Sequence, residues 1–167
     1  MTILEPNKLL FKNFPAFLAL GFGTGLIKKA PGTFGTLAAF PFFLFLQLLS
    51  QPLIYIFILT MFFIGIYVAD KTSQALSISD PSCIVIDEIV GFLLLLILIQ
   101  HMPGAEILIS KIDLILAFIL FRIFDIWKPF PIDFLEKKFK GGFGIMIDDI
   151  GAAIYAYIIF ILIHYAI

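Results

Sequence analysis

Five long apolar runs, at 34–49, 53–69, 84–100, 112–127 and 150–167, constrain this chain more than any other feature. Of its 167 residues, 62% are hydrophobic and 14% charged; soluble domains run near half apolar and a quarter charged. The length would suit one soluble domain, but runs of this size and number read as membrane-spanning helices. The expected fold class is all-α: a polytopic helical membrane protein with about five transmembrane helices, one membrane-embedded domain over 1–167. Several runs fall short of the ~20 residues that cross the hydrocarbon core. Flanking residues or a thin local bilayer make up the difference.

The breaks between runs are punctuated. Ser50-Gln51-Pro52 is a tight turn, Met102-Pro103-Gly104 starts another, and Lys128-Pro129 with Pro131 stops the fourth run. Asp80-Pro81 reads as a helix N-cap followed by proline at the first helical position. Ahead of the first run, residues 7–20 are moderately amphipathic: Lys8 and Lys12 sit among Leu9, Leu10, Phe14 and Phe17, with Pro15 interrupting. An N-terminal amphipathic helix in the cytoplasmic interface and an ordinary packed helix are equally good readings. Residues 1–13 are too mixed for a secretory leader, which leaves insertion to the apolar runs. Cys83, the single cysteine, admits no disulfide within the chain and reads as a small residue at a helix start. Gly91 reads as a point of close helix approach.

The lysines orient the runs. Lys8, Lys12, Lys28, Lys29, Lys71, Lys128, Lys137, Lys138 and Lys140 fall in one set of loops, and only Lys111 in the other. The positive-inside rule puts the first set in the cytoplasm. Asp87 and Glu88 then lie one turn into the third span, Arg122 and Asp125 in the last two turns of the fourth, and Asp148 and Asp149 at the start of the fifth. All reach one level, the cytoplasmic membrane surface. Ionised groups there are expensive, and they pair or mark a functional site. Ion pairs of Arg122 with Asp125 and Lys128 with Asp148 would satisfy a purely structural account. Five carboxylates and several bases at one depth favour a site.

Asp87, Glu88, Asp125, Asp148 and Asp149 are hard oxygen donors of the type that suits Mg²⁺, an ion usually shared with a substrate phosphate. Asp125 follows Arg122 by three residues and shares its helical face, which Lys128 continues. Neighbours on a helix point about 100° apart. One acid of each adjacent pair is therefore expected on the metal, the other capping or pairing with a base. Arg122 and Lys128 would meet phosphate oxygens, Arg with two parallel bonds and Lys as a point charge. Gly21-Phe22-Gly23-Thr24-Gly25, with Lys28, Lys29 and Thr33 beyond it, is a glycine-rich stretch that could hold phosphate at a helix start. It is no Walker A loop, and a flexible turn is the plainer reading. A carboxylate could act as general base or as nucleophile.

Other chemistries fit poorly. His101 and His164 fall on the outer side, and the Ser-His-Asp, G-x-S-x-G, H-E-x-x-H and D-x-D-x-[TV] patterns are missing. A net charge of −1 gives no reason to expect a polyanion such as nucleic acid as partner. A small transporter or channel, the rival reading, would spread ionisable groups through the membrane depth and on both sides.

The motifs resemble those of the phosphatidylglycerophosphatase A family of bacterial membrane lipid phosphatases. The matching stretches are Gly23-Thr24-Gly25 with Ala30-Pro31-Gly32-Thr33-Phe34-Gly35-Thr36, and Ile86-Asp87-Glu88-Ile89-Val90-Gly91. Most specific are Phe121-Arg122-Ile123-Phe124-Asp125-Ile126-Trp127-Lys128-Pro129 and Gly141-Gly142-Phe143-Gly144-Ile145-Met146-Ile147-Asp148-Asp149. The resemblance implies Mg²⁺-dependent removal of the terminal phosphate of phosphatidylglycerophosphate at the cytoplasmic face of the inner membrane. It carries the family's functional residues onto Asp87, Glu88, Arg122, Asp125, Lys128, Asp148 and Asp149. The expected catalytic acids are Asp125, Asp149 and Asp87. Lys28, Lys29, Thr33, Arg122 and Lys128 are the expected substrate contacts, and Glu88, Asp125, Asp148 and Asp149 the metal ligands.

Overall fold

The computed structural model describes residues 6–10, 13–102 and 110–166; Lys12 and the Pro103-Gly104 turn lie outside them. The described residues are helical, without strands. They form α1 (Pro6–Leu10), α2 (Phe14–Ala19), a 3-10 stretch (Gly21–Leu26), α3 (Pro31–Leu46), α4 (Gln51–Leu76), α5 (Ile86–Gln100), α6 (Lys111–Trp127), α7 (Ile132–Lys138) and α8 (Gly141–Ala166).

Helix ends follow local chemistry. The Ser110 hydroxyl accepts from the Asp113 N–H and the Asp113 carboxylate from the Ser110 N–H, a capping box that starts α6. Lys128 ends α6 in the left-handed region, φ 46°, with Pro129 behind it unable to continue the helix. Ser77 closes α4 in the same conformation.

Burial assigns the layers. α5 is apolar on nearly every side and buries Ile89, Val90, Phe92, Leu93, Leu95, Leu96, Ile97 and Ile99, the pattern of a central helix. It packs against α3, α4, α6 and α8, while α8 packs against α4, α5, α6 and α7. Phe92 anchors the centre, with ring centroids 5.6, 5.9 and 5.5 Å from Phe40, Phe118 and Phe121. Outward, α4 exposes Leu53, Ile56, Leu59, Phe63 and Tyr67, and α6 exposes Ile112, Ile115, Ile119, Ile123 and Ile126. Each set recurs at helical spacing, so each is a continuous exposed apolar stripe, a feature that marks a membrane or partner surface. Both α4 and α8, of 26 residues each, are long and apolar enough to cross a membrane.

Small residues set the closest crossings. A Cβ at Gly91 would sit 2.9 Å from the Asp149 carbonyl oxygen, so α5 and α8 touch backbone to backbone as expected. A Cβ at Gly142 would run into the Ile66 carbonyl of α4. Gly142→Ala is therefore expected to cost about 1–3 kcal/mol as an overpacked contact, measured as a lowered melting temperature in detergent.

The structure corrects three expectations. The fifth helix starts at Gly141 rather than 150, because glycines that resemble a loop are where α8 meets α4; Asp148 and Asp149 are thus two turns inside it. Asp80-Pro81 does not cap α5. The Ile84 N–H bonds to the Pro81 carbonyl in a turn, the Val85 N–H to the Ala19 carbonyl, and α5 begins only at Ile86. The N-terminal segment, expected as one helix, is two short ones, α1 and α2, with Leu9, Leu10, Ala16 and Leu20 buried around Leu76.

Candidate active site

At one end of the bundle, the start of α3, the start of α5, the end of α6 and the first turns of α8 surround a cavity of about 370 Å³. Asp87, Glu88, Arg122, Asp125, Lys128, Asp148 and Asp149 all line it, with Gly32, Asp80 and Ile126. Three separate stretches of chain, in α5, α6 and α8, thus deliver every acid singled out in the sequence to one place.

Two cations are fixed in its wall. Arg122 forms a close ion pair with Asp125 one turn on, and its Nη1 lies 3.9 Å from Glu88 Oε1. The same nitrogen donates to Thr36 Oγ1 at 3.4 Å, and the buried Thr36 hydroxyl donates to the Gly32 carbonyl at 2.8 Å. Helix α3 therefore braces the guanidinium from behind. Lys128 Nζ donates to Asp148 Oδ2 at 2.5 Å and lies 3.2 Å from Glu136 Oε2. Burial lowers the Lys128 pKa, but the carboxylates of Asp148 and Glu136 outweigh it and hold it above its ordinary value. Lys128 stays a cation.

The remaining acids face one another. Asp87, Glu88 and Asp149 bring one oxygen each to within 4.8 Å of the others. If ionised, each pair repels by roughly 3.5 kcal/mol or more at an effective dielectric of ~20. Asp87 Oδ1, Glu88 Oε2 and Asp149 Oδ1 are also buried without a hydrogen-bond partner. Three hard oxygen donors that repel one another and lack donors of their own fit a divalent cation such as Mg²⁺.

The two adjacent pairs are arranged differently. In α8, Asp149 joins the acid group while Asp148 turns to Lys128. Asp87 and Glu88 both reach the group; the longer glutamate chain spans the difference in direction. Asp148 and Asp125, expected as metal ligands, line the same cavity paired with Lys128 and Arg122. Lys28 and Lys29 are exposed, Thr33 is half-buried, and none of them lines the cavity.

The structure adds Gly32, Thr36, Asp80 and Glu136. Gly32 and Thr36 carried a signal: Pro31 suits the first position of a helix, and a helix from there puts both on one face. A Cβ at Gly32 would overlap Glu88 Oε1 and come within 3.0 Å of Arg122 Nη1.

Carboxylates gathered against fixed cations are the equipment of enzymes that act on phosphate esters, and comparison with known proteins agrees. The Phosphatidylglycerophosphatase A family model matches residues 17–164, and the chain belongs to that family. A Phosphatidylglycerophosphatase A of Haemophilus influenzae is 44% identical over 160 residues, 95% of this chain and 94% of its own. One of Escherichia coli is 35% identical over 160 residues, 92% of this chain and 89% of its own. A Bacteroides thetaiotaomicron protein provisionally named phosphatidylinositol-3-phosphatase is 36% identical over 154 residues, 87% and 90% of the two chains. No solved structure matches the chain.

Proposed function

We propose that this phosphatase hydrolyses the terminal phosphomonoester of phosphatidylglycerophosphate, giving phosphatidylglycerol and inorganic phosphate, with Mg²⁺, at the cytoplasmic face of the bacterial inner membrane. The convergence of Asp87, Glu88 and Asp149 beside Arg122 and Lys128 in one cavity carries this reading. The names of two close relatives supply the headgroup. The third relative's name points to the same bond on a different lipid headgroup.

In this reading α3, α4, α5, α6 and α8 are the five spans. Their lysine-rich ends support the cytoplasmic orientation, and the exposed apolar stripes of α4 and α6 would face lipid. Asp87, Glu88 and Asp149 would hold the ion. When bound, Mg²⁺ supplies charge neutralisation and polarises the phosphoryl group. Arg122 would grip non-bridging phosphate oxygens, kept in place by Asp125 and Thr36, and Lys128 would add a second positive charge. Hydrolysis breaks the ester P–O bond, forms a P–O bond to water, and needs an acceptor for the water proton. We assign that role to Asp125, which lines the cavity outside the three-acid group and is held beside the Arg122 guanidinium. The transporter reading finds no support along α5, where residues 89–99 are apolar throughout.

Purified protein in mixed micelles with phosphatidylglycerophosphate tests the proposal. Phosphate release that requires Mg²⁺, stops with chelator, returns on re-addition and leaves phosphatidylglycerol is the expected result. No release, or release indifferent to chelation, would overturn it. Phosphatidylinositol 3-phosphate in the same assay measures headgroup breadth.

A further inference from the structure

The connector between α6 and α8 is the largest feature the catalytic reading leaves unused. It does not loop away from the bundle. Tyr155 Oη donates to the Phe130 carbonyl at 2.7 Å, a Cβ at Gly151 would meet Ile132 at 3.0 Å, and one at Gly144 would run into the Phe139 carbonyl. At 1.5 Å per residue, Gly144 and Tyr155 are about 16 Å apart along α8. The connector therefore starts well down α8, beside Tyr155, and climbs along it to Gly144. Asp148 and Asp149 sit between those two levels. Ile132, which meets Gly151, thus lies about 3 Å further along α8 than Asp149, with Phe130 on the side of Tyr155.

Its exposed residues change character along the climb. Trp127 is 70% exposed, Phe130 79% and Phe134 51%. Lys137, Lys138 and Lys140 follow, all exposed; Lys137 pairs with Asp133 one turn back at 2.7 Å, and Lys138 Nζ lies 5.5 Å from the Phe134 ring centroid and 5.7 Å from that of Phe139. Aromatics at the low end and lysines at the high end reproduce the order of a leaflet: acyl chains, then anionic phosphates. The aromatic end also continues the exposed apolar stripe of α6 through Ile123 and Ile126.

We propose that residues 127–140 form a re-entrant element. Its turn dips into the acyl region of the leaflet that carries the site, and its lysines hold the anionic headgroup layer. The inference rests on the reading of α8 as a span with its acids at the headgroup boundary. The element then walls the site on its lipid side, and a lipid beside Ile126, which lines the cavity and is itself exposed, lies next to the acids without leaving the bilayer.

Trp127 is the only tryptophan, so fluorescence reports depth directly. The native chain and three single-tryptophan variants, each combining Trp127→Phe with Phe130→Trp, Phe139→Trp or Phe63→Trp, would be reconstituted in vesicles containing phosphatidylglycerol. Chain-brominated lipid is expected to quench Trp127 and the probe at 130, both shielded from aqueous iodide. Iodide is expected to reach the probe at 139. Retained phosphate release shows that each variant is folded. Iodide quenching at 130 as strong as at 139, with the probe at 63 on α4 still quenched by lipid, would overturn the re-entrant element and leave the spans standing. Loss of lipid quenching at 63 as well would overturn the membrane reading and this inference together.

Discussion

Asp149→Asn and Asp125→Asn are each expected to lower phosphate release by about 10³-fold, within the range set by loss of a positioned acid–base group, while the protein still inserts and elutes as the wild type does. The two changes act differently. Asp149 shares a 4.8 Å circle with Asp87 and Glu88, so an amide there removes one charge from the candidate metal site. Asp125 pairs with Arg122, so its loss frees the guanidinium to turn toward Glu88 and removes the assigned proton acceptor. Raising Mg²⁺ should therefore rescue Asp149→Asn in part and Asp125→Asn hardly at all. Near-normal turnover in both variants would end the assignment of these acids.

Gly32→Ala is expected to lower turnover by roughly 10²-fold, a loss of the size seen when one charge-stabilising donor is displaced. The residue touches no substrate in this account. Its missing Cβ is the space that Glu88 Oε1 and the Arg122 guanidinium occupy. A methyl group there pushes both away from the cavity at once, while the helix itself gains from alanine. The signature is lost activity with an unchanged or higher melting temperature. A parallel loss of stability would mean that the glycine serves packing alone.

The site's charges were legible because each stood out against an apolar run. Arg122 and Asp125 announced a shared face by their spacing, and Asp87-Glu88 and Asp148-Asp149 could not be ordinary lipid-facing residues. What joins them was less visible. Glu136 reaches Lys128 only because the connector folds back along α8, and nothing in its own neighbourhood says so. Gly142 and Gly144 stand inside α8 although glycine is a poor helix former in isolation, because α8 meets the backbone of Ile66 and of Phe139 there. Likewise Lys28 and Lys29 had the composition of a phosphate loop. Direction, which composition does not encode, leaves both exposed.

The account stands on three acids sharing a divalent cation, and binding can be read without turnover. Mn²⁺ titrated into the purified protein and followed by electron paramagnetic resonance should lose its free-ion signal with the wild type. It should keep that signal with the Asp87→Asn/Glu88→Gln/Asp149→Asn variant. Equal Mn²⁺ binding by the two proteins, both folded, would contradict the account at its centre.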